Sequence, residues 1–264
     1  MTSTSINHAN SQILPEGNRG AGTLSRMQSE LFAQANLEKQ TTERFVVQNP
    51  QMLRVSLGSD VLAVKGAMVA YQGAVTFNHE SAGSMGRLLK KAVSGDDVPL
   101  MRVAGQGEVF FADTAGFVFL VHLDGDSLSV SGHNLLAFDA SLNWDIKRLK
   151  GANMMAGGLF NMELSGTGTV ALHAVGQPVV LDCSQQPTHV DVNAAVAWSS
   201  ALQPQVVNSM NMKSMLRGGS GEAFQYRYHG QGFVVVQPSE WDSGVSGSSG
   251  GSSGGGGILG DLFS

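Results

Sequence analysis

The stretch AGQGEV (Ala104–Val109) returns as SGTGTV (Ser165–Val170). Close glycines of this kind also mark phosphate-cradling loops. Such a loop needs a strand before it and a helix after it, so that backbone N–H groups and the helix N-terminus face the anion. Here the first copy continues through Val109, Phe110 and Phe111 to FVFLVHL (Phe117–Leu123), which is rich in β-branched and aromatic residues and has no helical period. No Gly-Lys-Ser/Thr follows. The glycines are therefore read as structural, placed where a strand begins or bulges.

The pattern extends outward from these glycines. A weaker third copy is read at SGEAFQYRY (Ser220–Tyr228). Each copy is followed by a turn and an apolar strand: GFVFLVHLDG (116–125), GQPVVLDC (176–183) and GQGFVVVQPS (230–239). A second element also repeats, as LAVKGAMVAY (62–71), LSVSGHNLLAF (128–138) and VDVNAAVAW (190–198). Each ends in alanine plus an aromatic: Ala70-Tyr71, Ala137-Phe138 and Ala197-Trp198, steps of 67 and then 60 residues. Elements that return in the same order at similar steps mark tandem units, so the expectation is three β-modules in tandem. Asp124-Gly125-Asp126 reads as the turn between two strands.

Composition agrees with an all-β reading. Of 264 residues, 42% are hydrophobic, enough for a core; 34 glycines and only 14% charged residues suit short strands and many turns better than long surface helices. Residues 1–43 read as a flexible N-terminal arm, in which Leu24, Met27, Leu31 and Ala35 fit a short helix or an extended segment equally well. Residues 44–242 form the three-module β domain, and 243–257 (SGVSGSSGGSSGGGG) a Gly/Ser linker. At 258–264 (ILGDLFS), Ile258, Leu259, Leu262 and Phe263 suggest a docking peptide that adds to a strand edge or enters a groove. The N-terminus lacks the basic and apolar regions of a signal peptide, and no window holds 18 apolar residues. A cytoplasmic location, peripheral to the inner face of a membrane, is expected.

The net charge of −5 lacks the basic field of a DNA-binding protein. Yet the cations are not evenly spread. Three Gly/Met-rich segments, one after each Ala-aromatic strand, hold half of the sixteen basic residues: 83–100, 145–160 and 206–219. They carry Arg87, Lys90, Lys91, Lys147, Arg148, Lys150, Lys213 and Arg217, against only Asp96, Asp97 and Asp145 as acids. They also carry Met85, Leu88, Leu89, Met154, Met155 and Met212. If the modules are related by symmetry, these segments make one basic, Met/Leu-bearing rim suited to an anionic membrane surface or a protein partner. The competing reading is solvated loops capping a barrel. Cations interleaved with aromatics, as RNA stacking requires, are missing, so RNA binding ranks behind both.

No catalytic constellation is found. His79, His122, His133, His173, His189 and His229 show no H-x-H pair, and His122 and His173, in apolar strands, read as structural. Cys183, the single cysteine, follows a buried-looking strand and reads as a small core residue. Neither a positioned serine nucleophile nor a calcium loop occurs.

The stretches GRLLKKAVSGDDVPLMRVAGQGEVFFA (86–112) and GGLFNMELSGTGTVAL (157–172) resemble the altered inheritance of mitochondria protein 24 family. So do RFVVQNPQMLRVSL (44–57) and VLAVKGAMVAYQG (61–73), which are similar to its bacterial members. The resemblance covers about residues 44–240. It implies three tandem modules like the tryptophan RNA-binding attenuation protein, each a shortened double-stranded β-helix, in a pseudo-threefold arrangement. It further implies a homotrimer with a ring of nine modules. The family's biochemical activity is not established; its mitochondrial member is linked to inner-membrane architecture, which is an analogy only. The expectation is thus a non-enzymatic oligomeric scaffold or adaptor without a cofactor. A small-ligand-binding or metal-dependent double-stranded β-helix enzyme is the alternative.

Overall fold

The computed structural model describes residues 29–80, 100–148, 160–208 and 224–239. Residues 29–41 belong to a unit of their own, with two single 3₁₀ turns, Glu30–Phe32 and Gln34–Asn36. Ser29 caps the first by accepting a hydrogen bond from the Leu31 N–H.

From Phe45 onward the described chain is all-β, and every ladder is antiparallel. A leading strand, β1 (Phe45–Asn49), pairs with β2 (Met52–Leu57) across an Asn-Pro turn, where the Asn49 side chain accepts from the Gln51 N–H. Next come β3 (Val61–Val64), β4 (Met68–His79) and β5 (Leu100–Phe111). β5 lies in the middle, with β4 along one edge and β2 then β3 along the other.

β6 (Phe117–Ser131), β7 (Leu135–Asp139), β8 (Asn143–Arg148) and β9 (Phe160–Ala174) follow. Here β9 is central, between β6 and the pair β7 and β8. The last strands are β10 (Val179–Asp182), β11 (Thr188–Asp191), β12 (Ala195–Ser199), β13 (Gln205–Asn208), β14 (Phe224–Tyr228) and β15 (Phe233–Val236). β15 lies between β10 and β12, and β14 between β11 and β13. Each Ala-aromatic strand meets its central strand with a one-residue slip before the alanine: between Met68 and Ala70, Leu135 and Ala137, and Ala195 and Ala197.

The opening glycines lie inside β5, Gly107 paired with both β2 and β4 and Gly105 with β4, so they cradle no phosphate. Gly105 has φ +118° and Gly107 φ +136°. A Cβ at Gly107 would collide with the Gln72 backbone oxygen, and one at Gly105 with that of Ala74. The β4–β5 ribbon bends there, sharply enough to bring the Tyr71 and Phe77 rings, six residues apart on one strand, to 5.3 Å. Without glycine the ladder could not turn this corner.

Two readings need correction. The third glycine pair is Gly230 and Gly232, not the stretch 220–228. Counting along the ladders from Val109, Val170 and Val234 places Gly230 with Gly105 and Gly166, and Gly232 with Gly107 and Gly168. The surroundings agree: a Cβ on Gly166 would face Leu142 at 3.6 Å, and one on Gly230 would face Leu202 at 3.4 Å. Second, Asp124-Gly125-Asp126 does not separate two strands. It lies within β6, where the register shifts between Asp124 and Ser127 and Gly125 takes φ +80°. Positive φ serves a bulge as well as a turn.

Three apolar clusters fill the interior. The first holds Phe45, Leu53, Val55, Val103, Val109 and Phe111, and Leu136, Ala137 and Ala171 from the second set of strands enter it. The second holds Leu128, Val130, Phe138, Met162, Leu164 and Leu172, with Leu62 and Leu100 from one side and Val196, Ala197 and Val235 from the other. In the third, Trp198, Tyr226 and Tyr228 form an aromatic triad with ring centroids 5.7–6.0 Å apart, around buried Cys183.

The corner glycines give a first prediction. Gly107→Ala combines a left-handed φ with a backbone collision and should cost about 2–3 kcal/mol. Gly66→Ala, at φ +96° with nothing within 4 Å of its Cβ, should cost only about 1 kcal/mol. Urea unfolding of the two variants measures the difference, and equal losses would contradict the corner role.

Candidate functional site

The three basic segments occupy corresponding steps of the topology. Segment 83–100 joins β4 to β5, 145–160 spans the β8–β9 connection, and 206–219 runs from β13 toward β14. In each case the two strands pair with one another: His79 opposite Met101, Arg148 opposite Phe160, and Asn208 opposite Phe224. Most of the rim residues lie outside the described residues: Arg87, Leu88, Leu89, Lys90, Lys91, Lys150, Met154, Met155, Met212, Lys213 and Arg217. So do Ile258, Leu259, Leu262 and Phe263 of the C-terminal peptide.

Lys147 and Arg148 are placed, at the end of β8. Lys147 Nζ lies 3.2 Å from Asp145 Oδ2 and 3.7 Å from Glu163 Oε1 across the ladder. Its bond to Asp145, then Glu163, pushes the ammonium pKa up. The cation is thus shared with two carboxylates on an exposed surface, which reduces the field it projects.

The histidines do not converge. Among the described residues, no three His, Cys, Asp or Glu side chains come together in a group able to hold a metal ion. His122 Nδ1 lies 3.1 Å from Thr169 Oγ1 on the neighbouring strand. Cys183 is fully buried, its thiol 3.8 Å from the Leu181 carbonyl. His173 is also fully buried, with Nε2 3.4 Å from Asp113 Oδ2. Asp113 opens a tight turn, 113–116, in which Thr114 (φ +46°) and Ala115 (φ +54°) are both left-handed. Gly116 closes it beneath the imidazole, where a Cβ would sit 2.8 Å from His173 Nδ1.

Burial pushes the His173 pKa down; Asp113 and a hydrogen bond with the His133 backbone oppose this, while the His133 side chain adds to it. Sequence reading saw only an isolated histidine in an apolar strand.

A polar seam runs along the β3–β7 junction. The Arg44 guanidinium donates to the carbonyls of Ser59 (2.7 Å) and Asp60 (3.2 Å) and pairs with Asp139. Asp139 Oδ2 also accepts from the Thr169 N–H at 2.7 Å. Arg102 bridges Glu80, at 2.9 and 3.0 Å, and Asp60, at 3.1 Å. These bonds to Glu80 and Asp60 hold the guanidinium pKa up.

The feature that sequence reading missed is an open edge. Within the chain, β7 is covered by β3, and β12 by β6. Among the described residues nothing pairs with the outer edge of β4. Val69 is 51% exposed and Tyr71 50%, while the residues at the same ladder steps, Leu136 and Val196, Phe138 and Trp198, are buried. The repeated Ala-aromatic signature could have shown this, because among the described residues no earlier set of strands stands before its first copy.

The family described as Mitochondrial biogenesis AIM24 matches residues 45–239. An uncharacterised protein of Streptococcus pyogenes serotype M6 is 23% identical over 190 residues, spanning 67% of this chain and 77% of its own. The crystal structure of a Streptococcus pyogenes protein superposes with a TM-score of 0.57 at 23% identity, covering 76% of this chain and 92% of that one. This likeness is one of fold. Among the described residues no helix is long and apolar enough to cross a membrane.

A pH prediction follows from His173. Its folded pKa is depressed, so between that value and the free value near 6.5 the unfolded chain binds more protons. The stability contributed by the neutral imidazole is present above about pH 6.5 and is lost as pH falls below it, at up to about 1.4 kcal/mol per pH unit. Urea midpoints from pH 7.5 to 5.0 should fall more steeply for the wild-type chain than for His173→Asn. Equal slopes would show that this imidazole titrates alike in both states.

Proposed function

We propose that this chain, which belongs to the mitochondrial biogenesis AIM24 family, is a non-enzymatic scaffold or adaptor that assembles as a homo-oligomer and presents a basic rim to an anionic partner. In this reading, the sets β2–β5, β6–β9 and β10–β15 are copies of one shortened double-stranded β-helix module in a pseudo-threefold arrangement. The recurrent central strand and the recurrent slip before alanine support it. A trimer is the oligomer the family resemblance implies.

One observation carries the functional part. Segments with half of the chain's basic residues connect paired strands at the same step of three like strand sets. Like places in three modules fall on one side, so the cations add rather than scatter. Each basic residue near an anionic bilayer contributes about 1 kcal/mol, and Met and Leu side chains suit the apolar layer beneath the headgroups. A cytoplasmic oligomer lying on the inner face of a membrane follows. The C-terminal apolar peptide, on its Gly/Ser tether, adds a second attachment at roughly millimolar effective concentration.

Vesicle sedimentation tests the rim. The chain should pellet with vesicles containing anionic lipid and not with neutral ones, and Lys90→Ala/Lys91→Ala should lower the bound fraction several-fold. Equal pelleting with both vesicle types, or none, removes the membrane partner. A stoichiometric iron, manganese or zinc in the purified chain would replace the scaffold reading with a metal-dependent one. Deleting 258–264 should leave the thermal midpoint unchanged and weaken assembly or partner capture. Unchanged assembly and capture would leave the peptide without a docking role.

A further inference from the structure

We infer that a second copy of this chain adds its β11 to the open edge of β4, in the register that sets Ala70 opposite Val190 and Tyr71 opposite His189. The inference rests on the oligomeric reading above and names the surface through which copies meet.

The chain contains two templates for the contact. At the first junction β3 lies on β7, with Ala63 opposite Ala137 and Leu62 opposite Phe138. At the second β6 lies on β12, with Val130 opposite Ala197 and Ser129 opposite Trp198. Both use one rule: the strand entering one set lies against the Ala-aromatic strand of the next. The ladders identify the remaining halves. Ala63, Val130 and Val190 face Met101, Met162 and Tyr226 on their central strands. Ala70, Ala137 and Ala197 face Phe110, Ala171 and Val235, each just after the slip. Applying the rule once more puts β11 against β4.

Both halves are open among the described residues. Among the described residues β11 pairs only with β14, and β4 only with β5. They belong to the last and first strand sets, so the contact is head-to-tail. Repeating it closes a ring or extends a filament according to the rotation per step. The side chains point the same way. Leu136 and Val196 are knobs wholly buried at the two templates. Val69 stands at their place and is 51% exposed, as Tyr71 is half-exposed where Phe138 and Trp198 are covered. A bare edge with apolar side chains tends to find a strand partner, and a second copy supplies one in matched register.

Disulfide trapping tests the register. In a Cys183→Ala background, Tyr71→Cys with His189→Cys should give covalent multimers on mild oxidation at micromolar concentration. Either single cysteine should give none, and Tyr71→Cys with Asp191→Cys, two residues out of register, at least tenfold less. Val69→Asp, which alters an exposed side chain, should weaken association at least tenfold by light scattering while far-UV circular dichroism is unchanged. An oligomer that gives no Tyr71–His189 cross-link, or whose mass is unaffected by Val69→Asp, overturns this interface and leaves the scaffold reading standing. A wild-type chain that is monomeric at micromolar concentration overturns both.

Discussion

The fold depends on a central strand flanked by other strands on both sides. β5 and β9 each carry ladders on both sides, and β14 with β15 do so together. Most of their backbone groups are consumed by neighbours, so side chains point up or down from the sheet. A strand held this way cannot relieve a bend by splaying outward. The bend must fall where a Cβ is absent, which explains why Gly73, Gly105, Gly107 and Gly166 take positive φ inside strands. The slip before Ala70, Ala137 and Ala197 adds local twist, and alanine leaves room for the next strand to approach.

Where successive sets of strands meet, apolar and polar bonding divide the work. Leu136 reaches into the first cluster and Val196 into the second, and each such burial is worth about 1.5–3 kcal/mol. The edges of the junctions are polar and carry side-chain hydrogen bonds. Asn134 donates to the His173 carbonyl and to Gln237 Oε1, both at 3.0 Å. Gln237 in turn donates to the Asn193 carbonyl at 3.1 Å. This buried amide pair ties the end of the last strands to the second set. Hydrogen-bonded geometry of that kind fixes one arrangement where apolar packing alone would tolerate several.

Much of this was legible because local rules set it. The glycines of AGQGEV announced a bent strand through what followed them, and the Ala-aromatic pairs marked corresponding strands. The third glycine pair was misplaced because SGEAF imitates the spacing by composition. Yet Gly230-Gln231-Gly232 repeats Gly105-Gln106-Gly107 residue for residue and would have given the register. Asp124-Gly125-Asp126 misled because turns and bulges ask for the same residues. The rim was read from charge, and its one described lysine side chain is shared with Asp145, a neighbour visible in the sequence. The pairs Arg44–Asp139 and His173–Asp113 join residues about sixty to ninety-five apart, and no local pattern encodes them. Nor does any single stretch disclose an open edge, since exposure belongs to the whole pairing scheme.

The ladder between β3 and β7 also sets an order in time. During synthesis, Val61–Val64 leaves the ribosome long before Leu135–Asp139, the strand that covers it. At roughly 5–20 residues per second the gap lasts on the order of 4–15 s. For that interval the nascent chain carries an apolar strand whose rightful neighbour does not yet exist, and β6 then waits in the same way for β12. Translation speed across residues 65–139 thus becomes a variable in the yield of native protein, and slow codons there would lengthen exposure to chaperones and to neighbouring nascent chains alike.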